Sequence, residues 1–360
     1  SNVRLGPAPT FTESHRLTLR YRGRLRVFKF HRHRPPGNGR TQPVIEQDGG
    51  AMFALSQDEW KTRSVTRVPP SSSSPPMDFV ASYPESGNTW IRLAHAAYHA
   101  DDIGPSDLVQ FDEEESPVSH LMQYSDADPY YYQSVCPFPI ERADLFTEVR
   151  LRPAAMLALE REVSLAPVSP LVRSHHVHGR ADAFPLWNSQ WTDKVVNPIR
   201  DPREICYLYA NRNNQSYEEI AQFMAETGAR VDGDSTGRTQ YFLGTWSDHV
   251  EKWLGAEELS VFSVRYEDLR TDPVDVFCDI FNFLGRTEID RARVQDAVEK
   301  TRVDVLHAAG AGPMSSEFHE RQERFFRPDG TNEWEEELPP DVARTIEEDH
   351  GAVMEALGYL

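Results

Sequence analysis

The sequence predicts an α/β protein: a central, mostly parallel sheet flanked by helices, preceded by a basic, β-rich N-terminal extension. Two observations carry this. Three short apolar runs, within 79–81, 195–199 and 259–264, each lead through a turn into a segment with helical spacing. Residues before 77 have another character, an alternating basic stretch followed by Pro/Gly/Ser-rich sequence. Residues 1–76 therefore read as an extension and linker, and 77–360 as the main domain.

The first strand–turn–helix unit is the most informative. Phe79, Val80 and Ala81 fit a buried strand, and Tyr83 to Asn88 (YPESGN) supplies turn chemistry. From Thr89, Ile91, Leu93, Ala94, Ala97 and Tyr98 recur at helical spacing, with Asn88 as the candidate N-cap. A loop that ends at a helix N-terminus gathers unpaired N–H groups and the positive end of the helix dipole, which suits an anion. Gly87 allows close backbone approach, and Ser86 and Thr89 add hydroxyl donors. The bland alternative is an ordinary turn between strand and helix. No Gly-Lys-Ser/Thr follows the glycine, so this is not a Walker loop, and a nucleotide kinase on such a fold is disfavoured.

Charge is spread unevenly over the 360 residues, whose net charge is -19. Residues 1–40 carry ten Arg/Lys against one acid, whereas the remainder carries 28 basic against 56 acidic residues. So acidic a body argues against nucleic acid as the main partner. The three cysteines, Cys136, Cys206 and Cys278, lie far apart and form neither a zinc pattern nor a disulfide framework. They favour a reducing, cytoplasmic setting. No apolar run is long enough to span a membrane, and no signal peptide is visible. The chain begins Ser1-Asn2 without Met, so an anchor upstream and a Golgi lumen stay open.

Leu17, Leu19, Tyr21, Leu25 and Val27 alternate with Arg16, Arg20, Arg22, Arg24 and Arg26, which predicts a strand or hairpin with one basic face. A charge-protected edge is favoured over a groove for an acidic substrate. Asp128 to Gln133 (DPYYYQ) reads as packing under a loop or as the lining of an acceptor pocket. At 171–178 (LVRSHHVH) an apolar pair leads into Arg173, Ser174 and three histidines. A neutral imidazole there fits a general base, a structural histidine, or a metal site from His176 and His178. Asp201-Pro202 starts a helix after a strand ending in Ile199-Arg200, and a guanidinium such as Arg200 suits phosphate oxygens. Trp246, Val250, Trp253 and Leu254 share a helix face and read as core. A further helix starts after Pro273, and 341–356 forms a last amphipathic one.

These blocks, in this order, resemble the sulfotransferase family. YPESGNTW resembles its 5′-phosphosulfate loop; Arg173-Ser174-His175 lies on its Lys-Thr-His strand end. The strand, Arg200 and the Asp201-Pro202 helix resemble its 3′-phosphate block; GTWSDHVEKWL, RYEDL and Phe325-Phe326-Arg327 resemble three more of its segments. The resemblance implies a nucleotide-kinase-like fold and transfer of a sulfuryl group from 3′-phosphoadenosine 5′-phosphosulfate (PAPS) to an acceptor hydroxyl or amine. The product would be 3′-phosphoadenosine 5′-phosphate (PAP), and no metal is expected. It further implies that Ser86, Gly87, Asn88 and Thr89 hold the 5′-phosphate and that Trp90 and Thr301 lie by the adenine. Arg200 and Arg327 would hold the 3′-phosphate, with His175 as the base. The acceptor, a small molecule or a glycan, and the oligomeric state are left open.

Several positions depart from the family pattern. Leu208 stands where a phosphate-binding serine is expected, and Pro328 and Asp329 replace a lysine and a glycine. The most serious is Glu85, where a basic residue is expected next to the leaving phosphate oxygen. A carboxylate ~4 Å from that charge would cost about 4 kcal/mol, on the order of a thousandfold in rate, if nothing compensated. Glu85 is therefore expected to point out to solvent while Arg173 or Arg92 supplies the positive charge, or to disable turnover, or to leave a protein that binds a nucleotide without catalysis.

Overall fold

Strand residues 78–81 are buried on both faces, as expected of a parallel strand covered by helices on each side. In the computed structural model, β1 (Asp78–Ala81), β2 (Leu171–Ser174), β3 (Lys194–Ile199) and β4 (Ser260–Arg265) form one sheet in the order β4-β3-β1-β2. All three pairings are parallel. Described are residues 77–110, 116–181, 184–232, 239–285, 288–310 and 332–360, with the backbone of 14–21, 24–32 and 43–47, which forms antiparallel strands. The side-chain pattern read for the basic extension, the linkers, the acidic run 112–115 and Arg327 lie outside the described residues.

Alternation along the strands separates two cores. Val80, Val196, Phe262 and Val264 face one layer, made by α1 (Asn88–His99), α5 (Pro273–Leu284) and α6 (Arg291–Lys300). Phe79, Ala81, Val172, Val195 and Val261 face the other, against α2 (Leu145–Val163) and Trp253 of α4 (Trp246–Leu254). A third cluster joins α3 (Pro202–Asn213), α4 and the C-terminal α7 (Pro340–Leu357). Trp246, Val250 and Trp253 are buried and Leu254 packs against the third cluster, in line with the core face read from the sequence. The stretch read as a loop is a short helix (Pro129–Val135), with Tyr131 and Tyr132 buried and Tyr130 exposed.

β1, β3 and β4 each lead into a helix and β2 into a loop, so the carboxyl edge of the sheet collects loops and helix N-termini. Asp201 caps α3 by accepting from the Arg203 N–H (2.9 Å), with Pro202 in the first turn. Below this edge, Arg152 of α2 pairs with Asp126 (2.6 Å), and both are buried. Ser174, the last residue of β2, donates to the same carboxylate (2.8 Å). This network fixes the strand end that carries His175.

Candidate functional site

The loop after β1 turns twice through left-handed backbone, at Glu85 (φ 62°) and Gly87 (φ 100°). Gly87, not Asn88, occupies the N-cap position of α1, and no side chain caps the helix. This corrects the capping assigned to Asn88. Its amide instead donates to the carbonyls of Val80 (2.8 Å) and Ser174 (3.2 Å), tying the loop to the ends of β1 and β2. The first backbone bond of α1 runs from the Ile91 N–H to the Gly87 carbonyl. The N–H groups of Asn88, Thr89 and Trp90 therefore stand at the positive end of the dipole without a backbone acceptor. Ser86 is buried, its hydroxyl 3.5 Å from the Pro84 carbonyl, and is not among the residues lining the cleft.

The cleft brings together Glu85, Gly87, Asn88, Thr89, Trp90, Arg173, His175, Arg200 and Thr301. These include every described residue that the sequence placed in the site except Ser86. Trp90 and Thr301, far apart in sequence, meet through the indole N–H and the Thr301 hydroxyl oxygen (3.2 Å). Leu208 does line the wall, and its own side chain offers no donor.

His175 has a defined tautomer. Its Nδ1 lies 2.9 Å from the Ser82 carbonyl oxygen. A carbonyl only accepts, so Nδ1 carries the proton and Nε2 bears the lone pair. Burial, then the neighbouring Arg173 guanidinium, lowers its pKa to about 3, so the ring is neutral near pH 7. The edge of Tyr241 supports it, ring centroids 5.1 Å apart. The adjacent histidines are engaged elsewhere: His176 Nδ1 accepts from the Phe242 N–H (3.2 Å), and His178 lies 2.8 Å from Glu258. Among the described residues, no group of three or more His, Cys, Asp or Glu side chains is placed to hold a metal ion.

Arg200 is buried with its guanidinium carbon 4.0 Å from the centre of the Tyr266 ring. It donates to the Glu85 carbonyl (3.2 Å) and lies 3.5 Å from Glu204. Burial in turn raises the Glu204 pKa to about 7. Tyr266, from the segment read as architectural, lines the cleft between Arg200 and Trp90.

The residue that sequence reasoning missed is Arg212. Its Nη1 lies 2.5 Å from Glu85 Oε1, and both side chains line the cleft. Glu85 thus faces the cleft and is paired there, rather than pointing out to solvent. Arg92 is buried and donates to the carbonyls of Leu171 (3.0 Å), Met122 and Tyr124 (3.4 Å). The desolvation lowers its pKa to about 9. No local signal marks Arg212, because 127 residues separate it from Glu85.

The donor set fits a phosphorylated nucleotide: an uncapped helix N-terminus, a buried arginine and an indole share one cleft. The family model described as "Sulfotransferase domain" matches residues 75–358. A curated relative, mouse Sulfotransferase 2A6, is 29% identical over 98 residues, which is 26% of this chain and 32% of that protein. The match thus spans about a third of the relative's length. Among solved structures, mouse sulfotransferase SULT7A1 complexed with PAP is 17% identical (TM-score 0.46; 79% of this chain, 84% of that one). Retinol dehydratase in complex with androsterone and PAP is 16% identical (TM-score 0.47; 79% and 82%).

Proposed function

The chain belongs to the sulfotransferase family, and from that premise we propose that it moves a sulfuryl group from PAPS to an acceptor hydroxyl or amine with His175 as general base. The observation that carries the proposal is the His175 tautomer, with the Nε2 lone pair on a ring that lines the same cleft as the uncapped end of α1. PAPS supplies the sulfuryl group and, as PAP, the leaving group. The N–H groups of Asn88, Thr89 and Trp90 offer donors to its 5′-phosphate, with the helix dipole behind them. Arg200 offers its planar fork to the 3′-phosphate, joined in this proposal by Arg327. The Trp90 face offers stacking area to the adenine, its edge held by Thr301.

The acceptor's proton passes to His175 Nε2 as the acceptor atom approaches sulfur. The Ser82 carbonyl holds the proton on Nδ1 and so keeps Nε2 open. A strongly depressed pKa makes the resting base weak, and an anionic group bound beside it raises that pKa towards the working range. The acceptor is proposed only as a class, a small molecule or a glycan.

The test is transfer of labelled sulfate from PAPS across a panel of hydroxyl and amine acceptors. Transfer by the protein is expected, with a loss of about 10²- to 10⁴-fold in His175→Ala. Transfer that survives His175→Ala unchanged would remove the histidine from this role. Intact PAP binding without transfer to any acceptor would instead make the chain a nucleotide-binding protein of impaired turnover, as Glu85 first suggested.

A further inference from the structure

We propose that Arg212 is the cation that stabilises negative charge on the departing 5′-phosphate oxygen, and that Glu85 is the residue that positions it. This rests on the sulfuryl-transfer reading above. In that reaction the acceptor forms a new bond to sulfur and gives its proton to His175. The bond from sulfur to the 5′-phosphate oxygen breaks, and its electron pair stays on that oxygen. A site built for this step needs a fixed positive charge beside the phosphate.

At residue 85 the loop offers a carboxylate, which by itself would oppose the step. Its charge is instead directed to Arg212, at 2.5 Å, on the wall of the same cleft. A guanidinium carries five N–H donors in a planar fork, a geometry that matches both a carboxylate and phosphate oxygens. The loop is fastened to α3 twice: Arg200, just before the helix, donates to the Glu85 carbonyl, and Arg212, in its last turn, binds the Glu85 carboxylate. That double attachment holds a non-glycine residue in left-handed backbone, a conformation that L side chains disfavour.

The remaining cations fit the task less well. Arg92 is buried on backbone carbonyls and does not line the cleft. Arg200 is engaged with the Glu85 carbonyl, Glu204 and the Tyr266 ring. Arg173 lines the cleft with its side chain hydrogen-bonded to Tyr241. Arg212 is within electrostatic reach of the base as well, since its guanidinium is one of the charges that lower the His175 pKa.

The test is a double-mutant cycle on Glu85→Ala and Arg212→Ala, read as kcat and KM for PAPS, with Arg212→Lys as the conservative variant. A second readout is the His175 titration in nucleotide-free protein, followed by NMR. Arg212→Ala is expected to lower kcat on the order of a hundredfold with little change in KM. Arg212→Lys should recover part of this, and the His175 pKa should rise when the guanidinium is removed. Glu85→Ala should lower kcat only where Arg212 is present, so that the double variant resembles Arg212→Ala. The inference is overturned if the protein transfers sulfate and Arg212→Ala leaves kcat intact. It is equally overturned if Glu85→Ala accelerates turnover, because the carboxylate would then only oppose the reaction. Absence of transfer in the unaltered protein removes the sulfuryl-transfer reading itself, and this inference with it. If Arg212→Ala does not fold, Arg212→Lys and Arg212→Gln are compared under the same criteria.

Discussion

Gly87 shows how tightly single residues are constrained here. Its φ of 100° suits glycine, and a Cβ built on it would lie 2.7 Å from Tyr266 Cδ2. Gly87→Ala therefore combines left-handed strain with a ring that cannot retreat easily, because Arg200 covers it. A loss of about 2–4 kcal/mol in unfolding free energy is expected, with weaker PAP binding. Denaturant titration checks the first and calorimetry the second; an unchanged midpoint would mean that Tyr266 moves freely. The sequence made this glycine legible because turn chemistry is local. It did not reveal that Asn88 would bind the ends of two strands rather than cap a helix. Nor did it reveal Arg212, since an ion pair spanning 127 residues leaves no periodicity or spacing to read.

At the scale of elements, strands and helix starts were legible because each depends on near neighbours. The β3–α3 unit is an example: an apolar run, then Asp201-Pro202, then a helix. The support under the site was not legible. Asp126 lies in a stretch with no readable pattern, yet its carboxylate receives Arg152 (2.6 Å) and Ser174 (2.8 Å), both buried. It thereby couples α2 to the end of β2, next to His175. Asp126→Ala leaves a buried guanidinium without its partner and is expected to cost about 3–5 kcal/mol. Replacing Asp126 and Arg152 together by apolar residues should cost much less. Equal losses in the single and double variants, measured by denaturant unfolding, would contradict that coupling.

For the whole molecule, several histidines are held neutral by burial. His249 is lowered to about 3, His350 to about 4, and His176 falls well below its ordinary value, desolvation being the largest cause each time. The unfolded chain binds protons at these groups from about pH 6.5 downward, whereas the folded chain does not. Stability is therefore full above about pH 6.5 and falls as pH drops towards 3–4, each histidine adding a slope of up to ~1.4 kcal/mol per pH unit. Glu204 acts oppositely. Its folded pKa of about 7 lies above the unfolded value of about 4.3, so acidification through that window favours the folded state and offsets one histidine. Net acid lability beginning near pH 6.5 is expected in denaturant midpoints; a midpoint flat from pH 7 to 4 would contradict it.

The same scale holds the account's central claim, that the cleft at the carboxyl edge of the sheet is a site for a 3′-phosphorylated nucleotide that serves sulfuryl transfer. Its most direct test is calorimetric titration with PAP, using AMP as the control that lacks the 3′-phosphate. Binding in the micromolar range is predicted, dependent on the 3′-phosphate and weakened by at least about tenfold, or ~1.4 kcal/mol, in Arg200→Ala. Equal affinity for PAP and AMP, or no binding of either, would contradict the claim and leave a sulfotransferase-family fold put to another use.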